Sequence, residues 1–184
     1  MLIYILVGVL IAIILLFSSK KLSPIPYFPT QPADISLIIK ALNLKNNQII
    51  IDLGAGDGIV IFKAARKAYK NGLNTQFIAV EINPILIFIL HLRRLFHPNG
   101  KNIKIIRDDI FKMNFSSHLY RQGNALSLPT FYLYISPWFL EKTISNIKLQ
   151  ISKFKVVSYM YPIKSLKKND RVIQGKNKIF IYSN

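Results

Sequence analysis

The stretch that decides the fold is residues 49–58, which read Ile-Ile-Ile-Asp-Leu-Gly-Ala-Gly-Asp-Gly. An apolar run ends in an acidic residue, and glycine then recurs at Gly54, Gly56 and Gly58. This pattern is typical of a buried parallel strand that turns tightly into a helix. Glycines at such a turn let the backbone approach a ligand where a Cβ atom would collide. A purely structural glycine turn is the alternative interpretation.

Strand and helix patterns alternate through the rest of the chain. Apolar runs predict five strands, at residues 48–53, 76–82, 102–107, 130–135 and 155–161. Helical periodicity predicts helices between them, and the segment 112–128 fits neither pattern clearly. Such alternation predicts an α/β fold with a doubly wound, mainly parallel sheet. Residues 162–184 predict a C-terminal β-hairpin.

The N-terminus carries a separate signal. Leu2–Phe17 is an unbroken apolar run, and Lys20 and Lys21 follow it. A membrane-spanning helix needs about 20 residues, with a lower limit near 17. We therefore predict a transmembrane anchor at 1–19, a proline-rich linker at 20–32 and a catalytic domain at 33–184. A cleaved signal peptide is the alternative, although it would carry its positive charge before the apolar run. Lysines after the run predict a single-pass membrane protein whose catalytic domain is cytoplasmic.

Composition narrows the possible partners. The chain contains no cysteine, so disulfides and thiolate metal ligands are excluded, and its three histidines lack metal-ligand spacing. We expect no metal. The net charge of +17 is compatible with nucleic acid, but the basic residues are scattered along the chain, and an anionic membrane surface fits at least as well. A nucleic-acid partner is therefore the less favoured alternative.

Acidic residues are concentrated at the predicted strand ends. Only eight occur in the chain, and five of them follow or close a strand: Asp52, Asp57, Glu81, Asp108 and Asp109. Ligands of open α/β sheets bind outside the carboxyl ends of the strands. A cationic ligand that also carries a ribose diol would account for carboxylates at this edge.

The D-x-G-x-G-x-G pattern of residues 52–58 resembles motif I of the Rossmann-like methyltransferases that use S-adenosylmethionine (SAM). The resemblance implies that the glycine turn borders the methionine end of SAM and that Asp52 either faces its ammonium group or braces the glycine turn. It also places Glu81 at the ribose hydroxyls and Asp109 near the adenine, with Asp108 as the alternative. The predicted SAM-binding residues are Thr30, Asp52, Gly54, Ala55, Gly56, Glu81, Ile82, Asp109 and Ile110.

Further motifs resemble a narrower family, the small membrane-anchored seven-strand protein-lysine methyltransferases. That family includes the enzymes that methylate the adenine nucleotide translocase and the c-subunit of ATP synthase, with prokaryotic relatives. The resemblance rests on the apolar N-terminus and on the segments Pro26–Thr30, Asp52–Gly58 and Glu81–Pro84. It implies methyl transfer to a lysine amine of a membrane-associated protein. Gln31, Ile59 and the turn Ser136-Pro137-Trp138 depart from the family pattern and leave the substrate open.

Aromatic residues are the candidates for the substrate pocket. Tyr27, Tyr134 and Trp138 lie near predicted strand ends, where aromatic walls could desolvate an amine and hold it as a cation. Packing in the core is the alternative for each. The chain lacks the [DN]-P-P-[YF] box that resemblance assigns to many amino-methylating nucleic-acid enzymes. Methylation of RNA or of a lipid headgroup amine, and a non-catalytic SAM-binding membrane protein, are the alternative functions.

Overall fold

The computed structural model describes residues 1, 3–5, 7–8, 27–120 and 128–183, with the side chains of 118–120 and 167–170 left out. Most of the predicted anchor at 1–19 and residues 20–26 of the predicted linker at 20–32 therefore lie outside the described residues. Within the part that is described, no helix combines the length and the apolar character needed to cross a membrane. The anchor and the cytoplasmic location stay predictions.

A single seven-stranded sheet organises the described chain, and its strand order is β3-β2-β1-β4-β5-β7-β6. The first five strands run parallel, and the last two form the predicted hairpin, with β7 antiparallel to both β5 and β6. The strands are β1 Ile49–Leu53, β2 Gln76–Glu81, β3 Ile103–Arg107, β4 Thr130–Leu133, β5 Lys155–Tyr159, β6 Asp170–Gln174 and β7 Lys178–Ser183.

Helices connect the strands. They are α1 Ile35–Leu42, α2 Ile59–Lys70, α3 Pro84–Leu95, α4 Phe115–Tyr120 and α5 Pro137–Gln150, with short 3-10 turns at Pro32–Asp34, Gly100–Asn102 and Lys164–Asn169. The predicted Rossmann-like, doubly wound fold with a C-terminal hairpin is thereby confirmed. The segment 112–128, which the sequence pattern left undecided, contains α4.

Two apolar layers hold the sheet between the helices. On one face, Leu140, Ile144 and Ile147 of α5 pack against alternate residues of the strands. On the other face, α1, α2 and Leu90 of α3 cover the remaining strand residues. Every residue of β1 is buried, as expected for a central parallel strand covered on both sides. This central position places the end of β1, where the glycine turn begins, in the middle of the sheet edge.

A buried carboxylate fixes the hairpin to the start of the domain. Asp34 accepts hydrogen bonds from the Tyr159 hydroxyl at 2.7 Å and from the amides of Lys176 and Asn177 at 2.7 and 2.9 Å. Burial by itself would raise the pKa of Asp34, but these hydrogen bonds outweigh it and the pKa lies below its usual value. Because these partners are more than 120 residues away along the chain, the contact could not be read from local sequence.

Candidate active site

The glycine turn after β1 requires glycine for both conformation and space. Gly54 and Gly56 have φ angles of +77° and +58°, in the left-handed region that disfavours other residues. A Cβ atom on Gly54 would lie 3.1 Å from a methyl carbon of Ile135. On Gly56 it would lie 2.6 Å from a ring carbon of Tyr27. The turn is therefore held closely between the loop after β4 and the segment that precedes α1.

The third glycine serves helix packing. Gly58 also has a positive φ, of +76°, and a Cβ atom there would lie 2.5 Å from a side-chain carbon of Leu90 and 2.7 Å from Phe62. Both neighbours belong to helices, Phe62 to α2 and Leu90 to α3. Gly58 therefore lets α3 approach the start of α2, and it does not line the cleft described below.

Glu81 connects the glycine turn to the end of β2. Its Oε2 accepts a 2.9 Å hydrogen bond from the Gly56 amide, and its Oε1 accepts from the amides of Ile82 and Asn83 at 2.8 and 2.9 Å. A carboxylate offers about four acceptor sites, so three amides leave room for a further donor. The predicted contact of Glu81 with ribose hydroxyls stays a prediction. The structure shows in addition that Glu81 positions the glycine turn through the Gly56 amide.

The sequence after β2 forms a strong helix start. The Asn83 side chain accepts hydrogen bonds from the amides of Ile85 and Leu86, and Pro84 occupies the first helical position. Asn83 is thus the N-cap and Pro84 the first residue of the helix, a pair favoured at helix starts. Because α3 begins immediately after Glu81, the carboxylate is held at the sheet edge.

The two acids after β3 form a turn of their own. Asp108 Oδ1 accepts from the Asp109 amide at 2.7 Å, and Asp109 Oδ1 accepts from the Phe111 amide at 2.9 Å. These bonds order the segment that contains Ile110. Among the described residues, no hydrogen bond uses Oδ2 of Asp109, which is compatible with the predicted position near adenine.

Asp52 and Tyr132 are paired across β1 and β4 and are both buried. Burial raises the pKa of Asp52 well above its ordinary value, and the Glu81 and Asp57 carboxylates raise it further. A buried carboxyl group with a strongly perturbed pKa in a cleft is a mark of a ligand site. A bound cation would restore its charged form.

Tyr132 was not predicted from the sequence. Its hydroxyl is buried and has no hydrogen-bond partner among the described residues. Burial raises the pKa of Tyr132 well above its ordinary value, and the Asp52 carboxylate raises it further. The nearby Thr30 hydroxyl lowers this pKa, although it lies outside hydrogen-bonding geometry. A buried hydroxyl without a partner costs free energy, and in a cleft it indicates a ligand contact. The signal available in the sequence was a tyrosine inside β4, a short buried strand.

Tyr27 closes one side of the turn. Its ring lies over Gly56 and its hydroxyl lies against the Asp57 carboxylate, which forms a 2.9 Å ion pair with Arg93 of α3. Burial, together with the charge of Asp57, raises the pKa of Tyr27 to about 12. Asp57, which stands just before α2, thus connects Tyr27 in the segment before α1 with α2 and with Arg93 of α3.

One cleft lies at the carboxyl ends of β1, β2 and β4. Its empty volume, which includes its mouth, is about 760 Å³. Eleven of the twelve predicted site residues line it: Tyr27, Thr30, Asp52, Gly54, Ala55, Gly56, Glu81, Ile82, Asp109, Ile110 and Tyr134. Lining residues that the predictions lacked include Phe28, Ile59, Val60, Leu86, Phe111, Tyr132 and Ile135.

Trp138 is the predicted residue that the structure does not bring to the cleft. It follows Pro137 in the first turn of α5, and its side chain is 86% exposed. The helix turns this side chain toward solvent, so Trp138 neither lines the cleft nor packs the helix start. The prediction that it walls the pocket is not supported by this geometry, and Tyr27 and Tyr134 are the aromatic predictions that the cleft contains.

The cleft suits SAM in its chemistry. A backbone cradle that a Cβ atom would fill, a buried carboxyl group, an unpartnered hydroxyl and two further acids match a ligand with an ammonium, a carboxylate and a ribose diol. The solved structure of an RNA methyltransferase from Salinibacter ruber in complex with S-adenosyl-L-homocysteine shares the fold. Its TM-score is 0.68 at 19% identity, covering 85% of this chain and 93% of that chain. The fold and the cleft are those of the class I SAM-dependent methyltransferases.

Within that class, the chain belongs to the ribosomal RNA adenine dimethylase family, whose profile matches residues 27–160. It is 28% identical over 130 residues to the Probable ribosomal RNA small subunit methyltransferase A of Methanosphaera stadtmanae, covering 69% of this chain and 37% of that protein. It is also 29% identical over 100 residues to the lysine N-methyltransferase of the ATP synthase C-subunit from Caenorhabditis elegans, covering 51% and 50%. The chain thus spans half or less of the length of these relatives.

Proposed function

We propose that this chain transfers the methyl group of SAM to an amine nitrogen of RNA. The observation that carries the proposal is the family match, because residues 27–160 include every residue that lines the cleft. Relatives named as ribosomal RNA methyltransferases recur among the curated proteins. This reverses the preference of the sequence motifs, which favoured a lysine of a membrane-associated protein.

The charge distribution supports an anionic substrate. Five of the eight acids line the cleft, where SAM would bind, and Asp34 is buried, which leaves Glu141 and Asp170 elsewhere. The surface outside the cleft is therefore dominated by lysine and arginine. Such a field attracts a phosphate backbone and raises its rate of encounter, whereas it repels a protonated lysine.

The rim of the cleft offers stacking surfaces next to a cation. Phe28 is 65% exposed at the mouth, and Phe111 packs against Phe139 with ring centroids 5.3 Å apart. The ammonium of Lys142 lies 4.7 Å from the Phe111 ring centroid. Aromatic faces beside basic side chains are the usual means of holding an unpaired base and its phosphate.

The residues of the cleft would mainly bind and align. A bound sulfonium supplies an electrophilic methyl group, and in-line attack by an amine lone pair needs orientation and exclusion of water more than covalent help. Asp52 would hold the ammonium and Glu81 the ribose. Burial, with a smaller effect of Tyr161, raises the pKa of Tyr134, so its hydroxyl stays protonated at neutral pH and orients the acceptor without acting as a base.

A lysine acceptor is the second candidate, and two observations favour it. One relative is named for lysine methylation of the ATP synthase C-subunit. In addition, the turn after β4 reads Tyr134-Ile135-Ser136-Pro137-Trp138, without the Asn or Asp of the amino-methylating box. An exocyclic base amine is poorly nucleophilic and profits from such an acceptor, whereas a deprotonated lysine does not need one.

Radiolabel transfer separates these candidates. Full-length protein is incubated with methyl-labelled SAM and a cell extract, and the product is divided into RNA, protein and lipid fractions. The proposal predicts label that ribonuclease releases and protease does not. Protease-sensitive label would instead establish the lysine candidate. Label in the lipid fraction would establish a headgroup amine, and SAM binding without transfer would indicate a non-catalytic protein. An Asp52→Asn variant serves as the control for cleft-dependent transfer.

A further inference from the structure

The exposed face of α3 is strongly apolar. Phe88, Leu92 and Leu95 of α3, with Phe96 directly after it, recur at i, i+4, i+7 and i+8 and so share one face of the helix. Their exposed fractions are 68%, 48%, 75% and 78%. We call these four residues the α3 stripe. The helix attaches to the rest of the domain through its opposite side, where Leu86 and Leu90 are buried.

Such a stripe is unusual on a surface that faces water alone. Single exposed apolar residues are common, whereas a contiguous row of large ones marks an interaction surface. Nothing in the described part of the chain covers the α3 stripe, since all four side chains are exposed. The stripe lies on the sheet face opposite α5 and takes no part in the cleft.

We propose that the α3 stripe lies on an anionic lipid surface. Basic or titratable residues alternate with the stripe along the sequence of α3, namely His91, Arg93 and Arg94, and α3 contains no acidic residue. Arg93 is also ion-paired with Asp57, and Arg94 donates to the Gly100 carbonyl. An apolar face flanked by basic residues is the pattern of a helix that lies in the plane of a membrane interface. Juxtamembrane basic residues gain further from the negative surface potential of such a membrane.

The path of the chain supports this orientation. Tyr27 lies against Asp57, and Asp57 is ion-paired with Arg93, so Tyr27, where the described chain resumes, lies beside α3. Residues 20–26 can span at most about 25 Å. The apolar run Leu2–Phe17 precedes them in sequence. A run of this kind in a bilayer would hold α3 within reach of the lipid headgroups.

Other occupants fit less well. A second copy related by a two-fold axis would bring Arg93 and Arg94 of both copies together, because such an interface uses the same patch twice. RNA fits less well because it would place its charged phosphates against the apolar phenylalanine and leucine side chains of the α3 stripe. The chain's own Leu2–Phe17 is apolar all round, so covering the stripe with it would leave its other side in water. The inference is independent of which acceptor the enzyme methylates.

Site-directed fluorescence tests the proposal cleanly, because the chain contains no cysteine. An environment-sensitive dye is attached to Leu92→Cys or Leu95→Cys in the full chain. The matched control is Leu149→Cys, an 86% exposed leucine of α5 on the opposite sheet face. Each protein is mixed with vesicles of equal parts phosphatidylcholine and phosphatidylglycerol, with and without a spin-labelled lipid that quenches the dye.

We expect a blue shift and lipid-dependent quenching at positions 92 and 95, weaker with pure phosphatidylcholine, and neither effect at 149. Equal behaviour at all three positions would overturn the proposal. So would an equal response to both vesicle types. A shift without vesicles that grows with protein concentration would assign the stripe to a second copy instead. A concentration-independent shift without vesicles would assign it to the N-terminal segment, and SAM binding measured in parallel confirms that each variant is folded.

Discussion

The Glu81 carboxylate accepts a 2.9 Å hydrogen bond from the backbone amide of Gly56, across 25 residues of sequence. The acid at the end of β2 therefore positions the turn at the end of β1. Because the same carboxylate faces the cleft, turn geometry and ligand binding depend on one side chain. Loss of this group should affect both.

Glu81→Ala should weaken SAM binding and destabilise the domain together. Removing the carboxylate leaves three backbone amides without their acceptor, and hydrogen bonds to a charged group are worth about 1.5–3 kcal/mol. Calorimetric titration and chemical denaturation measure the two effects. Glu141→Ala on α5, outside the cleft, is the control and should leave SAM affinity at the parental value. Unchanged affinity in Glu81→Ala would remove this residue from the site.

Gly56→Ala should abolish SAM binding through a local clash. The new Cβ atom would meet the Tyr27 ring at 2.6 Å, in addition to the cost of a positive φ. Gly72→Ala isolates the cost of the positive φ from the clash, because Gly72 has a φ of +65° and open space around its Cβ position. Its destabilisation should be about 1 kcal/mol, with normal SAM binding. Equal SAM affinity in the two variants would mean that the contact with Tyr27 is unimportant.

Tyr132→Phe should weaken SAM binding without lowering stability. The hydroxyl has no partner among the described residues, so its removal relieves a buried polar group while costing the ligand one hydrogen bond, about 0.5–1.5 kcal/mol. Tyr159→Phe is the opposite case, because that hydroxyl donates to Asp34 at 2.7 Å. It should lower the melting temperature and spare SAM affinity. A destabilised Tyr132→Phe with parental affinity would contradict this assignment.

SAM affinity should rise with pH because of Asp52. Burial, with Glu81 and Asp57, raises its pKa in the free protein, so the folded state holds this proton more tightly than the unfolded state. The stability of the free domain therefore falls as pH rises from the ordinary value of 3.8 through the raised pKa.

A cationic ligand favours the charged form of Asp52, so ligand binding releases a proton. Titrations at several pH values should show tighter binding at higher pH, and Asp52→Asn should bind weakly at all of them. A flat profile in the parent protein would show that Asp52 does not meet a cation.

Local spacing made much of the cleft predictable. The glycine turn, Glu81 and Asp109 each follow an apolar run, and the edge of a parallel sheet gathers such residues whatever the details of packing. Tyr132 could not be found in this way, because its role depends on β4 lying next to β1, which the chain reaches only after β2 and β3. The contact between Tyr27 and Gly56 is likewise a tertiary contact.

Trp138 shows that sequence position after a strand does not predict the direction of a side chain. It follows the correct strand, but the direction of its side chain is set by where α5 begins, and a helix that starts at Pro137 turns the indole away from the cleft. A shift of one residue in helix phase rotates a side chain by about 100°, which sequence boundaries do not resolve.

The proposed reaction in this cleft is methyl transfer from SAM to an RNA amine. Mass spectrometry of nucleosides, after RNA has been incubated with the purified full-length chain and deuterated-methyl SAM, tests it most directly. We expect an adenosine that carries the labelled methyl group on its exocyclic nitrogen, formed by the parent protein and lost in Asp52→Asn. Unlabelled nucleosides, together with labelled lysine when protein replaces RNA in the same incubation, would show that the acceptor is not RNA.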